Sequence, residues 1–435
     1  MLRSRLPLLA WLLALLAAPA PAAPVPPPVF GVSAHSHVGI EWWYVNAHVS
    51  TEQGRHLALI GSFFRFGSGT SPFDPAAPAP RAYYLIYAVT DLDAKTQRSY
   101  SLADSSMVRY LRQIAPFLAV QNPHDKGAQA LLAAVNAGTL PPPHQKLSGK
   151  ASVINSPFRL AYGPTNTLTA DNAANTSFTL NLDAGGADKV HLTLAAQKPP
   201  MAVGGTGETG LVKKNDMFYF SLTRCAVGGT IDTGHGPERI TGGAGWFDHQ
   251  WGNSWVAQGN GWDWWGVQLS DGTDILCFRQ RDLKTGRVFF PLATFMDKAG
   301  HQSVTHNIGF NIDTSQPLWK SPRTGVSYPL AWTLTFPDKN LLLHITASVP
   351  DQEMPILGPG SAIWEGSCAV TEHPFPPSKA APCLSTSQQP GYYLMPLATG
   401  SAYMELVGYG SPAVRGALRH SRKPHPGLFG HGKHK

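Results

Sequence analysis

Residues 261–280 read Gly-Trp-Asp-Trp-Trp-Gly-Val-Gln-Leu-Ser-Asp-Gly-Thr-Asp-Ile-Leu-Cys-Phe-Arg-Gln. Two runs rich in apolar and aromatic residues flank Ser270-Asp271-Gly272, whose Asp and Gly suit the tight turn of a two-stranded hairpin. The stretch therefore predicts antiparallel β-structure. Because side chains alternate across a strand, Trp262 and Trp264 share one face while Asp263 and Trp265 share the other.

The same texture extends in both directions. Short runs at 41–49, 56–66, 82–90, 177–183, 191–196, 217–226, 287–295, 328–336, 341–349, 363–371 and 402–408 are bounded by Gly, Pro, Asn and Asp, a spacing typical of all-β proteins. Gly (43) and Pro (38) make up about a fifth of the 435 residues, and charged residues only 14%, against roughly a quarter in ordinary soluble domains. Both figures favour strands and turns over long surface helices. With 43% hydrophobic residues and a length beyond the ~250–300 residues at which single cores stop growing, two domains are expected.

One segment departs from the pattern. Met107, Tyr110, Leu111 and Ile114 recur at helical spacing between Asp104 and Pro116, and Ala128, Leu131, Leu132 and Val135 do so between Asp125 and Gly138. A small helical insertion near 101–146 is expected, either packed on the outside of the β-structure or covering a cavity.

The formal charge of +7 invites a nucleic-acid reading until it is located. Arg3 and Arg5 precede the apolar run 8–16, and Ala20-Pro21-Ala22 follows with small residues. This is the layout of an export signal cleaved after Ala22. Six further positive charges, Arg415, Arg419, Arg422, Lys423, Lys433 and Lys435, lie without any acid in a His-rich end from 411 to 435. The body from 23 to 410 is thus within one charge of neutral, and no basic groove for a phosphate backbone is expected. The Pro-rich leader 23–34 and the basic tail 411–435 are both expected to lack order. No later run is long and apolar enough to span a bilayer, so the mature chain is expected in the periplasm or outside the cell. Of the four cysteines, Cys368 and Cys383 flank a Pro-rich loop and form the expected disulfide, while Cys225 and Cys277 either cross-link neighbouring strands or remain buried thiols.

Six of the twelve tryptophans fall between Trp246 and Trp265. Asp248, His249 and Asp263 lie among them. A carboxyl group against apolar aromatic walls has its pKa raised by desolvation and can act as a general acid; equally, Asp248 and Asp263 can accept hydrogen bonds and lock the corner between two domains. A second cluster, His35, His37 and Glu41-Trp42-Trp43-Tyr44, opens the body of the chain. Its histidines and Glu41 suit a metal, yet no independent third and fourth ligand is evident, so neither metal nor cofactor is expected.

Glu41-Trp42-Trp43-Tyr44, Trp246-x-Asp248-His249-x-Trp251-Gly252, Gly261-Trp262-Asp263-Trp264 with Leu269-x-Asp271-Gly272, Tyr328-Pro329, Gln352-Glu353, Trp364-Glu365-Gly366 and Glu405-Leu406-x-Gly408-Tyr409 together resemble the carotenoid hydratase (hydroxyneurosporene synthase) and AttH-like lipocalin family. The resemblance runs from about His35 to Tyr409. It implies two tandem lipocalin-like antiparallel β-barrels, over 35–250 and 251–410, and an apolar cavity. Members of the family include hydratases that add water to isolated alkenes of carotenoids or prenylated phenolics, and cyclases of polyene substrates.

Hydration of an unactivated alkene needs a positioned acid, aromatic faces for the developing cation and a water held by a base. Carried over position by position, the resemblance makes Asp263 or Asp248 the acid and His249 the orienting group or water base. Trp42, Tyr44, Trp251, Trp262 and Trp264 become ligand-binding wall, with Glu41 and Glu365 as further candidates. Gln250 stands where relatives often have Glu. The expected partner is an apolar polyene, prenyl or lipid-like molecule, either hydrated or carried unchanged.

Overall fold

The computed structural model describes residues 31–67, 81–121, 126–210, 216–253, 260–357, 362–375, 397–411, 414–416 and 418. Strand accounts for 58% of the described residues and helix for 9%, so the fold is all-β, as the hairpin pattern predicts. Among the described residues, no helix is long and apolar enough to cross a membrane.

Two curled sheets, antiparallel except where Thr96–Ala103 pairs with Gln145–Lys146, hold all the described strands but the short pair Trp319–Lys320 and Ser327–Tyr328. In the first, of 13 strands, Ile40–Thr51 pairs with His56–Phe66 on one side and Pro237–Gly252 on the other, and the latter continues into Met217–Thr233 and Asp188–Ala196. In the second, of 10 strands, Asn260–Leu269 pairs with Asp274–Asp282 and with Ala398–Leu406, which pairs in turn with Ala362–Pro374. Each sheet thus brings its earliest and latest long strands together, the closing move of a half-barrel. The result is the two-domain lipocalin-like architecture.

Strand periodicity explains the interior. Along Ile40–Thr51, Trp43, Val45, Ala47 and Val49 enter the core of the first sheet, whereas Tyr44 joins a different core. Along Asn260–Leu269, Trp265, Val267 and Leu269 fill the second sheet's own core, and Trp264 turns to the same shared core as Tyr44. Three cores follow: one inside each half-barrel and one in the seam between them. Strands at the seam are buried on both faces, so Trp43, Trp246 and Trp265 are all under 2% exposed, each stabilising the fold by about 2–3 kcal/mol relative to exposure.

The helical insertion packs on the first sheet and adds to the shared core. Asp104 caps the helix Ser105–Gln121 by accepting the Met107 N–H at 3.0 Å, and Met107, Val108, Leu111 and Ala115, with Leu131 and Val135 of Lys126–Asn136, belong to the shared core. The insertion packs on the outer face of the first half-barrel, against the side of Ala82–Asp91 opposite Leu85, Tyr87 and Val89. The first helix also runs through Pro116 to Gln121 rather than stopping there. Packing of Leu111 and Ala115 at 2% and 0% exposure outweighs the one backbone hydrogen bond that proline cannot donate.

Both ends of the body are more ordered than their composition suggests. Val32, at the end of the Pro-rich leader, is 1% exposed and its carbonyl accepts the Trp43 indole N–H at 2.8 Å. Val414 and Leu418, in the basic end, pack into the second half-barrel's core. Residues 1–30, with the expected export signal, and 419–435 lie outside the described residues.

Cys225 is buried in the first core and Cys277 in the second, both as free thiols, so they do not cross-link neighbouring strands. Cys368 is also a free, buried thiol, and Cys383, its expected partner, lies outside the described residues. Burial pushes the Cys225 thiol up to about 12 and those of Cys277 and Cys368 higher still. These three thiols are expected to resist a thiolate-specific reagent in the native protein and to react only on unfolding, which a timed thiol titration with and without denaturant reads directly.

Candidate functional site

Two rows of side chains face each other across the seam. On the first sheet the register sets Tyr44, Asp248 and Ser221 side by side on three adjacent strands. On the second it sets Trp264, Glu405 and Glu365 side by side. Trp246 and Trp264 meet edge-on at 6.0 Å, and Tyr44 meets Trp264 edge-on at 5.8 Å. An aromatic seam thus holds three carboxyl groups drawn from both half-barrels.

Asp248 is 3% exposed. The Trp246 indole N–H and the Ser221 hydroxyl donate to its Oδ1 at 2.6 and 2.5 Å, and the Tyr219 hydroxyl to its Oδ2 at 2.7 Å. The Trp264 indole donates to the Tyr219 oxygen at 3.1 Å, which ties the second sheet to this carboxyl. Burial raises the Asp248 pKa and these hydrogen bonds restrain it, leaving it at about 7. Glu405 rises to about 7 by burial, against a hydrogen bond with Trp262 and with help from the Asp248 charge. Glu365 is pushed well above the carboxylate range by burial and then by Glu405. Near neutral pH the seam can hold and release protons in apolar surroundings.

Two other polar clusters lie outside the seam. Inside the first half-barrel, Glu41 accepts hydrogen bonds from the His35 backbone N–H and Nδ1, from His249 Nε2 at 3.0 Å and from Arg65. His249 Nδ1 lies 2.9 Å from the Gly31 carbonyl. Both ring nitrogens of His249 therefore face acceptors, and a proton is held between Nε2 and Glu41. Burial and then the hydrogen bond to Glu41 act in opposite directions on His249, whose pKa is lowered; Glu41 is likewise lowered, the histidines and Arg65 overcoming its burial. The donor atoms of His35, Glu41 and His249 lie within 4.8 Å of one another, a cluster the sequence motif alone does not complete. With four N–H groups already on Glu41, it is a satisfied network that pins the segment 31–35 to the barrel. His37 lies exposed beside it.

Asp263 occupies the corresponding place in the second half-barrel. Arg279 Nε and Arg281 Nη1 approach its Oδ2 at 2.7 and 2.5 Å, and the Tyr409 hydroxyl donates to Oδ1 at 2.8 Å. Burial works to raise its pKa, but the two arginines hold it below the ordinary range.

The model of the family described as AttH-like matches residues 143–409. The chain belongs to the AttH-like family. It is 20% identical, with a TM-score of 0.61, to a crystal structure described as an AttH from Nitrosomonas europaea, over 90% of this chain and 99% of that one. Kievitone hydratase from Nectria haematococca shares the fold at a TM-score of 0.59 and 14% identity, over 88% and 93% of the two chains. In sequence, the chain is 27% identical over 170 residues to the dehydratase asqC of Emericella nidulans; the match spans 37% of this chain and 46% of that protein, less than half of its length. The AttH-like segment includes Tyr219, Asp248, Glu365 and Glu405, whereas Glu41 and Tyr44 precede it.

Within this AttH-like chain the sequence-derived candidates separate into three places. Asp248, Tyr44, Trp42, Trp262, Trp264 and Glu365 line or flank the seam. His249, Glu41 and Trp251 lie inside the first half-barrel, where His35 stacks on Trp251 at 4.2 Å. Asp263 lies in the second, held by arginines from the neighbouring strand. Glu405, Tyr219 and Tyr403 join the seam without having been singled out. Glu405 stands in the quoted Glu405-Leu406-x-Gly408-Tyr409 motif, but its facing partner Glu365 is set by a strand pairing that no local spacing reveals.

Proposed function

We propose that this protein adds water to, or removes it from, a largely apolar alkene or alcohol held between its two half-barrels. The observation that carries this is the convergence of Asp248, Glu365 and Glu405 in a seam walled by Trp246 and Trp264. A hydratase and a dehydratase among its relatives support the same reaction class. In the hydration direction a protonated carboxyl gives its proton to one alkene carbon, the indole faces stabilise the cation on the other, and a carboxylate takes a proton from the attacking water. Dehydration runs the same steps backwards. Asp248 is assigned as the donor because three hydrogen bonds fix its orientation among the seam's indoles and because its pKa, like that of Glu405, lies at about 7, where both protonation states are accessible.

Asp263 has a different role in this scheme. Ionised between two arginines, it has no proton to give and fastens the second half-barrel instead. Gln250, 3% exposed and opposite Trp42 and Tyr219, favours the carrier reading if a carboxyl were needed there; the seam supplies three, Asp248 from the same strand and Glu365 and Glu405 from two others. Incubation with prenylated phenols and their hydrates in heavy-oxygen water, followed by mass spectrometry, separates the two. Label enters the alcohol if the chain is a hydratase, and stable binding without label or water loss identifies a carrier. Residues 1–22 are assigned as an export signal on their sequence, so the exported protein is expected to start at Ala23, as its intact mass would report.

A further inference from the structure

Among the described residues, three buried polar atoms with no hydrogen-bond partner gather in one part of the seam: Glu365 Oε1, Tyr403 Oη and His48 Nδ1. Glu365 and Tyr403 are 3% and 1% exposed. Buried polar groups are normally satisfied, and each orphan is costly to the free protein. These three are neighbours. Glu365 and Ser367 lie on one strand opposite Glu405 and Tyr403 on the next, on a common face. The His48 ring reaches across from the first half-barrel, its Nε2 2.9 Å from Ser367 Oγ and its centroid 5.2 Å from that of Tyr403.

Their chemistry is complementary. Ser367 Oγ donates to Ser348 at 3.2 Å, so it accepts from His48 Nε2–H and leaves Nδ1 as a bare acceptor. Tyr403, its pKa raised by burial, keeps its proton and donates. Tyr44, itself receiving the Asn46 amide at 3.2 Å, hydrogen-bonds Glu365 and leaves Oε1 to take either role. A donor and an acceptor together fit a hydroxyl, which accepts and donates at once; a carbonyl or ether would answer only the donor.

The geometry points to a ligand that is apolar over most of its length and anchored by one hydroxyl, an alcohol or a phenol, at Tyr403, Glu365 and His48, in preference to a hydrocarbon of the same shape. This rests on the seam being the substrate site, and it narrows the substrate class. Tryptophan fluorescence titration of the full chain with a geranylphenol and with geranylbenzene tests it. The phenol is expected to bind at least tenfold tighter, since a site built to hydrogen-bond a hydroxyl rejects the analogue lacking it. In Tyr403→Phe, and in the shape-conserving Glu365→Gln, the ratio should fall towards one through loss of the phenol alone. Tyr403→Phe should fold, because the hydroxyl it removes has no partner.

Equal affinities in the wild type, binding of neither compound, or equal loss of both in a folded variant would each overturn the inference. Hydroxyl preference without turnover would remove the reaction and leave this anchoring site standing. Turnover of the hydrocarbon without preference would do the reverse.

Discussion

Asp248→Asn is expected to lower the rate of water addition or removal by ~10²–10⁴-fold, the usual worth of a positioned acid, while changing ligand affinity little. The substitution keeps the shape of the site. The amide oxygen can still accept from Trp246 and Ser221, and the amide N–H turns the Tyr219 hydroxyl into an acceptor, beside the hydrogen bond that oxygen already receives from Trp264. What is lost is the exchangeable proton. In the hydration direction, the wild-type rate should fall below pH about 7, where the carboxylate that serves as base takes up a proton, and should also fall about tenfold per pH unit above it, where the acid has lost its own. Glu405, also near 7, is the competing donor: Glu405→Gln keeps the upper limb where Asp248 transfers the proton and loses it where Glu405 does.

The same group leaves a mark on stability. The folded pKa of Asp248, about 7, lies above its ordinary 3.8, so the folded chain retains a proton that the unfolded chain has lost. Its stabilising contribution is complete below pH about 4 and disappears as pH rises through 7, a change on the order of 4 kcal/mol. Asp248→Asn, which does not titrate, should gain stability relative to the wild type between pH 5 and pH 8. Urea unfolding of both proteins at the two pH values reads the difference, and parallel pH dependences would show that Asp248 is ionised in the folded state.

The alternation of side chains was enough to place Trp262 and Trp264 on one face and Asp263 and Trp265 on the other, and to reveal an all-β chain. It could not say which face looks into a half-barrel and which into the seam, because both faces of Asn260–Leu269 are buried. That single ambiguity decides the roles of the acids. Asp248 and His249 are adjacent in sequence and point into different cores; Asp263, one residue from a seam tryptophan, points away from the seam. Its partners Arg279 and Arg281 come from the neighbouring strand of the hairpin, where the sequence shows cations but not their direction. Glu365 and Glu405 lie forty residues apart and meet only through strand register. The helix through Pro116 and the docking of Val32 and Val414 were hidden for a related reason: tertiary burial overrides local propensity and composition.

Asp274→Ala should cost about 3–5 kcal/mol, the largest stability loss expected of a single change at the junction of the half-barrels. Asp274 is fully buried on the second sheet, and three groups from the first converge on it. Lys198 Nζ lies 2.7 Å from Oδ2, Thr223 Oγ1 donates to the same oxygen at 2.8 Å, and Arg224 approaches Oδ1 through Nη2 and Nε at 2.6 and 3.0 Å. Nearby, the Gln268 amide donates to the carbonyls of Thr223 and Gly245 at 2.8 and 3.0 Å. Removing the carboxylate leaves the Lys198 ammonium, only 5% exposed, without its counter-charge, and it is this stranded charge rather than the lost attraction that dominates the cost. Lys198→Met combined with Asp274→Ala should therefore destabilise by less than the two single changes added together, with a coupling of about 1–3 kcal/mol. Urea midpoints of the four proteins measure it. Because the pair ties one half-barrel to the other, the Asp274→Ala chain should also unfold in two steps, separable by the fluorescence of the seam tryptophans; one transition with an unchanged denaturant slope would mean that the shared apolar core alone couples the two halves.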